Sequence, residues 1–209
     1  MKIITGVSYL ILIVKLILIE SFAIDNVQDS ILIKDCIITP QIWSLEAPTK
    51  FATTSELRKQ TGSSVFAQGQ SIIISGTILD QNCVPITGAN VKIWQKNLGK
   101  PSSRTNKTKY TGSNISDNLG HFSFYTIMPA PEPNESPRVY FHISHPDIIN
   151  FETIMLFPKN QNNDAELKNL TAQEKNLLIA KCKNCLNNKE TPIYEFKIII
   201  EGKTNYKNY

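Results

Sequence analysis

From Gly69 onward the sequence is cut into short segments in which apolar and polar residues alternate, each bounded by turn-forming residues. A period of two puts successive side chains on opposite faces of an extended strand, so this pattern constrains the fold more than any other feature. Ser71-Ile-Ile-Ile-Ser-Gly-Thr-Ile-Leu79 reads as a strand, and Asp80-Gln-Asn-Cys-Val-Pro85 as a turn. Ala89-Asn-Val-Lys-Ile-Trp-Gln95 is the next strand, with Val91 and Ile93 on one face. Residues 97–120 are polar and rich in Gly, Ser, Asn and Thr, which predicts a long loop with one short strand inside it. His121-Phe-Ser-Phe-Tyr-Thr-Ile127 alternates again and turns Phe122 and Phe124 inward. In Val139-Tyr-Phe-His-Ile143, Val139, Phe141 and Ile143 share one face, and Tyr140 and His142 share the other. Thr153–Phe157 and Ile193–Ile200 complete the set.

Many short strands separated by Gly, Pro and Asn predict an all-β, antiparallel two-layer sandwich. Its body spans residues 69–201, after an irregular segment at 24–68 and before a polar tail at 202–209. One region departs from this period. Thr171-Ala-Gln-Glu174 has the form of a capping box, and Leu177, Leu178 and Cys182 continue a helical stripe. This predicts one short C-terminal helix over about 171–186.

The N-terminus carries a different signal. Lys2 is followed by an almost wholly apolar run from Ile3 to Ile19, interrupted at Lys15, and then by Ser21-Phe22-Ala23. A basic start, an apolar stretch and small residues before the cut are the marks of a secretory signal peptide, here a helix over residues 1–23. The mature chain would begin at Ile24 and be exported, periplasmic or secreted. If the segment stays uncleaved, it anchors the protein to a membrane. Four cysteines, Cys36, Cys83, Cys182 and Cys185, fit disulfides in an oxidising compartment, with three pairings open. Cys182-Lys-Asn-Cys185 reads as a local disulfide, since no second CxxC or nearby His completes a zinc site. Hydrophobic residues make up 41% of the chain and charged ones 19%, which fits a packed globule. The net charge of +4 has no dense Lys/Arg cluster behind it, so nucleic-acid binding is excluded.

The order of motifs resembles that of the intradiol ring-cleavage dioxygenases. Gly76-Thr-Ile-Leu-Asp80, Pro85-Ile-Thr-Gly-Ala89 and Val91-Lys-Ile-Trp-Gln95-Lys-Asn97 resemble the segment leading to the family's Trp-Gln-x-Asn. Ser116-Asp-Asn-Leu-Gly120-His-Phe-Ser-Phe124-Tyr-Thr-Ile-Met-Pro129 is similar to its Thr-Asp-x-x-Gly-x-Tyr-x-Phe-x-Thr-Ile-x-Pro. Thr153–Pro158 and Tyr194–Ile199 resemble its later strands, and Cys36-Ile-Ile-Thr-Pro-Gln41 the start of exported members. The resemblance implies a prealbumin-like sandwich. It also implies a non-haem Fe(III), held by two Tyr and two His, that drives O2-dependent cleavage of a small catechol-type aromatic between its hydroxyl-bearing carbons.

Carried over residue by residue, the ligand set is altered. Pro101 stands where the first tyrosine ligand is expected, and Glu132 where the second is. The family's His-x-His reads Tyr140-Phe-His142, which keeps the second histidine, and the position of its substrate-side Arg is Pro137, next to Arg138. Tyr140 and His142 are therefore the candidate iron ligands, phenolate and imidazole both being competent donors. Tyr110 lines up with an aromatic that is not a ligand, and His121 and His145 read as surface residues. Two functions follow from the resemblance: a dioxygenase with an altered iron site, or a catalytically silent sandwich that binds a small ligand or a surface partner.

Overall fold

The computed structural model describes residues 36–44, 47–59, 64–95, 110–130, 135–158, 164, 167–186 and 190–203. The chain divides into two compact units, Met1–Ile37 and Ile38–Tyr209, and every element below belongs to the second. The expected signal segment 1–23, Pro101 and Glu132 lie outside the described residues.

Among the described residues there are eight strands and one short helix: β1 Ser71–Asp80, β2 Asn90–Gln95, β3 Tyr110–Ile115, β4 His121–Ile127, β5 Arg138–Ser144, β6 Phe151–Leu156, α1 Ala172–Leu177, β7 Lys181–Lys183 and β8 Ile193–Ile200. They form two four-stranded sheets, β4-β1-β8-β7 and β3-β2-β5-β6. One apolar core draws on both sheets, with Ile72, Ile74, Phe124 and Ile198 from the first and Val91, Ile93, Val139 and Ile143 from the second. Phe141 joins the two, lying 5.8 Å from Phe122 and 5.4 Å from Phe196 between ring centroids. The alternation places these residues correctly, because odd and even positions of a strand must face opposite ways.

Two expectations are corrected. The fold is not purely antiparallel, since β1 and β8 run parallel, Ile73 opposite Ile193 through Asp80 opposite Ile200. A side-chain period shows which face a residue takes but not the direction of the neighbouring strand. Parallel neighbours need only a long crossover, which the more than one hundred residues between these strands supply. The helix is also shorter than its apolar stripe. Thr171 caps it as expected, accepting from the Glu174 amide while Glu174 Oε2 accepts from the Thr171 amide at 2.7 Å. It stops at Leu177 because β6 recruits the chain that follows. Leu156 N–H donates to Leu178 O at 2.7 Å, and Ala180 N–H to Leu156 O at 2.9 Å. Residues 181–183 then pair with β8. Cys182 bonds to Cys185, and Cys36 and Cys83 are also in disulfide linkage.

The signature motifs are hydrogen-bonding devices of this scaffold. Gln95 is fully buried at the end of β2. Its side-chain amide donates to Ile127 O at 2.8 Å, and its carbonyl accepts from Thr126 Oγ1 at 2.9 Å, both on β4 of the opposite sheet. Ser116 Oγ donates to Ile86 O and accepts from the Ala89 amide. Asp117 Oδ1 accepts from the amides of Leu119 and His121, closing the turn into β4. These bonds supply partners that buried or turning backbone requires.

The outer face of the second sheet, away from the shared core, is itself covered. Residues 39–44 reach one edge of that sheet and residues 47–54 the other. At β6, Ile42 N–H donates to Glu152 O at 2.8 Å and Thr153 Oγ1 to Pro40 O at 2.8 Å. At β3, Ser113 N–H donates to Thr54 O at 3.0 Å and Ser113 Oγ to Ala52 O at 3.0 Å. A second apolar cluster forms beneath, built from Trp94, Tyr140, Ile154, Leu156, Leu167 and Leu178, with Ile42 and Phe51 packed on it.

Candidate metal-binding face

The side chains on this covered face follow the strand register. In one row Trp94 of β2 lies opposite Tyr140 of β5, which lies opposite Ile154 of β6. In the next, Lys92 lies opposite His142, which lies opposite Glu152. Tyr140 and His142 therefore share a face, as the sequence predicts, two residues apart on one strand.

Their surroundings differ. Tyr140 is 6% exposed, and its ring stacks on Trp94 at 5.1 Å with only 11° between the planes. Phe51 meets the same indole edge-on at 5.8 Å. His142 keeps a side-chain exposure of 24%, and its Nδ1 lies 3.2 Å from Glu152 Oε1. Glu152 is 7% exposed, and its other oxygen accepts from the Ser44 amide at 3.0 Å. On the far side of the histidine, Lys92 holds its ammonium 5.4 Å from the Phe51 ring centre, a cation–π distance.

Arg138, two residues before Tyr140 on the same strand, has a structural engagement. It is buried, donates from Nε to Ser136 O at 3.1 Å, and forms an ion pair with buried Asp164, which also accepts from the Ser136 amide. This pair ties the start of β5 to the chain before α1. Tyr110 lies in the main core, where burial pushes its phenol above the ordinary tyrosine range and keeps it neutral. His121 is exposed on β4, 3.6 Å from Asp117, and His145 lies 3.7 Å from Asp147. Neither adjoins the row containing His142 in the strand register.

In kind, the phenol at Tyr140 and the imidazole at His142 fit a hard ferric ion, while the Glu152 carboxylate beside them has both oxygens engaged, by the Ser44 amide and by His142. Among the described residues no three His, Cys, Asp or Glu side chains are grouped closely enough to hold a metal, so a tyrosine would have to complete the set. Sequence reasoning finds Tyr140 and His142 but misses Glu152, Ser44 and Phe51. The signal for Glu152 is a charged residue interrupting the apolar run Phe151–Phe157. Ser44 and Phe51 carry none, because their position depends on how a remote segment drapes.

The Dioxygenase family model matches residues 45–202. A protein of Rickettsia felis named "Putative dioxygenase" is 30% identical over 186 residues, covering 81% of this chain and 84% of its own. A Rickettsia typhi protein of the same description is 33% identical over 148 residues, covering 63% of this chain and 71% of its own. Among solved structures, an intradiol ring-cleavage dioxygenase from Tetranychus urticae superposes with a TM-score of 0.66 at 15% identity. That match covers 82% of this chain and 98% of the other, and at this identity it speaks to the fold alone.

Proposed function

The chain belongs to the intradiol ring-cleavage dioxygenase family, and from that premise we propose that it is an exported non-haem iron protein that opens a small catechol-type ring with O2. Tyr140 and His142 are the residues proposed to hold the metal. The observation that carries this reading is their shared face, enclosed by the 39–54 segment and backed by a buried carboxylate. When bound, Fe(III) would supply a hard Lewis acid that accepts both oxygens of a catechol. The chain's own part is to shape the site. Trp94, itself met edge-on by Phe51, stacks on the Tyr140 ring and sets its plane, and Glu152 anchors His142. Export is supported by the Lys2–Ala23 pattern and by the disulfide state of the cysteines. Mass spectrometry of the native protein should find Ile24 first, and a retained Met1 would refute cleavage.

The test of the site is iron quantification on purified mature protein, together with ring-opening of catechol followed by absorbance. The double change Tyr140→Phe and His142→Ala should abolish iron binding and keep the fold, because Val139, Phe141 and Ile143 carry the main-core packing, Phe keeps the ring that stacks on Trp94, and Glu152 keeps the Ser44 amide. Stoichiometric iron that survives the double change would refute this ligand assignment. One observation favours a second reading, a catalytically silent protein: the Tyr140 ring is an integral member of an apolar cluster. Absence of both iron and ring-opening in the intact chain would favour that reading over the first.

A further inference from the structure

We propose that Glu152 is a positioning residue that fixes the tautomer and ring orientation of His142, with Nδ1–H given to the carboxylate and Nε2 left as the available nitrogen. A carboxylate at this place needs a reason. β6 is otherwise Phe151, Thr153, Ile154, Met155 and Leu156, all buried, and an unpaired charge among them would cost several kcal/mol. Glu152 has partners on both oxygens: the Ser44 amide donates to Oε2 at 3.0 Å, and His142 Nδ1 faces Oε1 at 3.2 Å. The carboxylate is thus held from the side opposite the histidine by backbone, so it is a fixed acceptor rather than a swinging surface charge. Register does the rest, since Glu152 and His142 are directly opposite on adjacent antiparallel strands.

An ionised carboxylate only accepts hydrogen bonds, so the nitrogen facing it must carry the proton. In the neutral ring that leaves the lone pair on Nε2. A ring held in this way is oriented with Nε2 free, as carboxylate partners do for metal-bound histidines. The consequence for iron rests on the proposed function above, whereas the tautomer does not.

The experiment uses the full mature chain, labelled with 15N and free of metal. Long-range 1H–15N correlation, at a pH where the ring is neutral, reports which nitrogen of His142 is protonated. Wild type should show the Nδ1–H form. Glu152→Gln, isosteric and able to present an N–H to Nδ1, should shift the ring toward the Nε2–H form, and Glu152→Asp should restore part of the Nδ1–H population. In the same proteins, Fe(III) affinity should fall about 10- to 100-fold for Glu152→Gln. An Nε2–H tautomer in wild type would overturn the proposal, and needs no variant to fold. So would a tautomer indifferent to Glu152→Gln. If wild type binds no iron but its tautomer inverts with Glu152→Gln, the positioning role stands and the iron reading falls.

Discussion

Gln95 should be worth more to this fold than its single position suggests. Its amide is fully buried and bonds twice to β4, although Gln95 belongs to the other sheet. Gln95→Leu keeps the volume but leaves Thr126 Oγ1 and Ile127 O without these partners. Each buried group left unpaired costs about 1–3 kcal/mol, partly offset by the added apolar burial, so a net loss of about 2–4 kcal/mol is expected. Urea unfolding, with the disulfides intact, should show it as a midpoint lowered by roughly 1–2 M at an m-value of about 2 kcal/mol/M. Thr126→Val alone leaves the Gln95 carbonyl unpaired and should also destabilise. The double variant removes one orphan from each single, so it should be more stable than the two losses added together, by about 2 kcal/mol. Strict additivity, or a loss under about 0.5 kcal/mol for Gln95→Leu, would refute the claim that this amide links the two sheets.

Gly120 has φ +73°, and a Cβ there would sit 2.4 Å from Ile78 O. Gly88 has φ +77° with nothing within 4 Å of its would-be Cβ. Both Ala variants pay about 1–2 kcal/mol for the left-handed backbone, and only Gly120→Ala pays for the clash as well, so thermal unfolding should rank it clearly lower; equal losses would contradict the steric argument. The Asp117 carboxyl is held below the ordinary range, first by the His121 amide, then by the Leu119 amide and the nearby imidazole. A depressed folded value means that its stabilisation is present above the unfolded Asp value near 4 and is lost as pH falls through the lower folded value. Stability measured from pH 5 down to pH 2.5 should therefore fall more steeply in wild type than in Asp117→Asn, and parallel curves would exclude a contribution from this turn.

What could be read from the sequence follows from what periodicity encodes. β8 matches its expected bounds, Ile193–Ile200, and β5 extends the expected strand by one residue at each end, because their alternation is strong and a single face of each meets the main core. β6 is harder. The sequence predicts it to begin at Thr153, yet it begins at Phe151 and is buried at all six positions. A strand covered on both faces loses its alternation, and the cover here comes from Ile42, Phe51, Leu167 and Leu178, which no local pattern connects to it. The stripe from Leu177 to Cys182 fails for the same reason. Leu178 is buried against the outer face of the second sheet, not on a longer helix, and the backbone on either side of it is claimed by Leu156. Tyr140 and His142 were legible as a pair because i and i+2 on a strand must point together. Glu152 was not, since its relation to His142 exists only once β5 and β6 are in register.

Most hydrogen-bonding residues of the family signature serve the scaffold, although Trp94 of the same signature stacks on Tyr140 on the candidate metal face. Gln95, Ser116 and Asp117 spend their hydrogen bonds on joining sheets and closing turns, so losing any of them leaves buried or turning backbone unpaired. Tyr140 and His142 are on the far side of the same strand from Val139, Phe141 and Ile143. Because adjacent residues of β5 serve opposite faces, a change at 140 or 142 need not disturb the core, and a change in the core need not disturb the donors. The scaffold therefore places a phenol, an imidazole and a carboxylate on one sheet face, opposite the side chains that pack the main core.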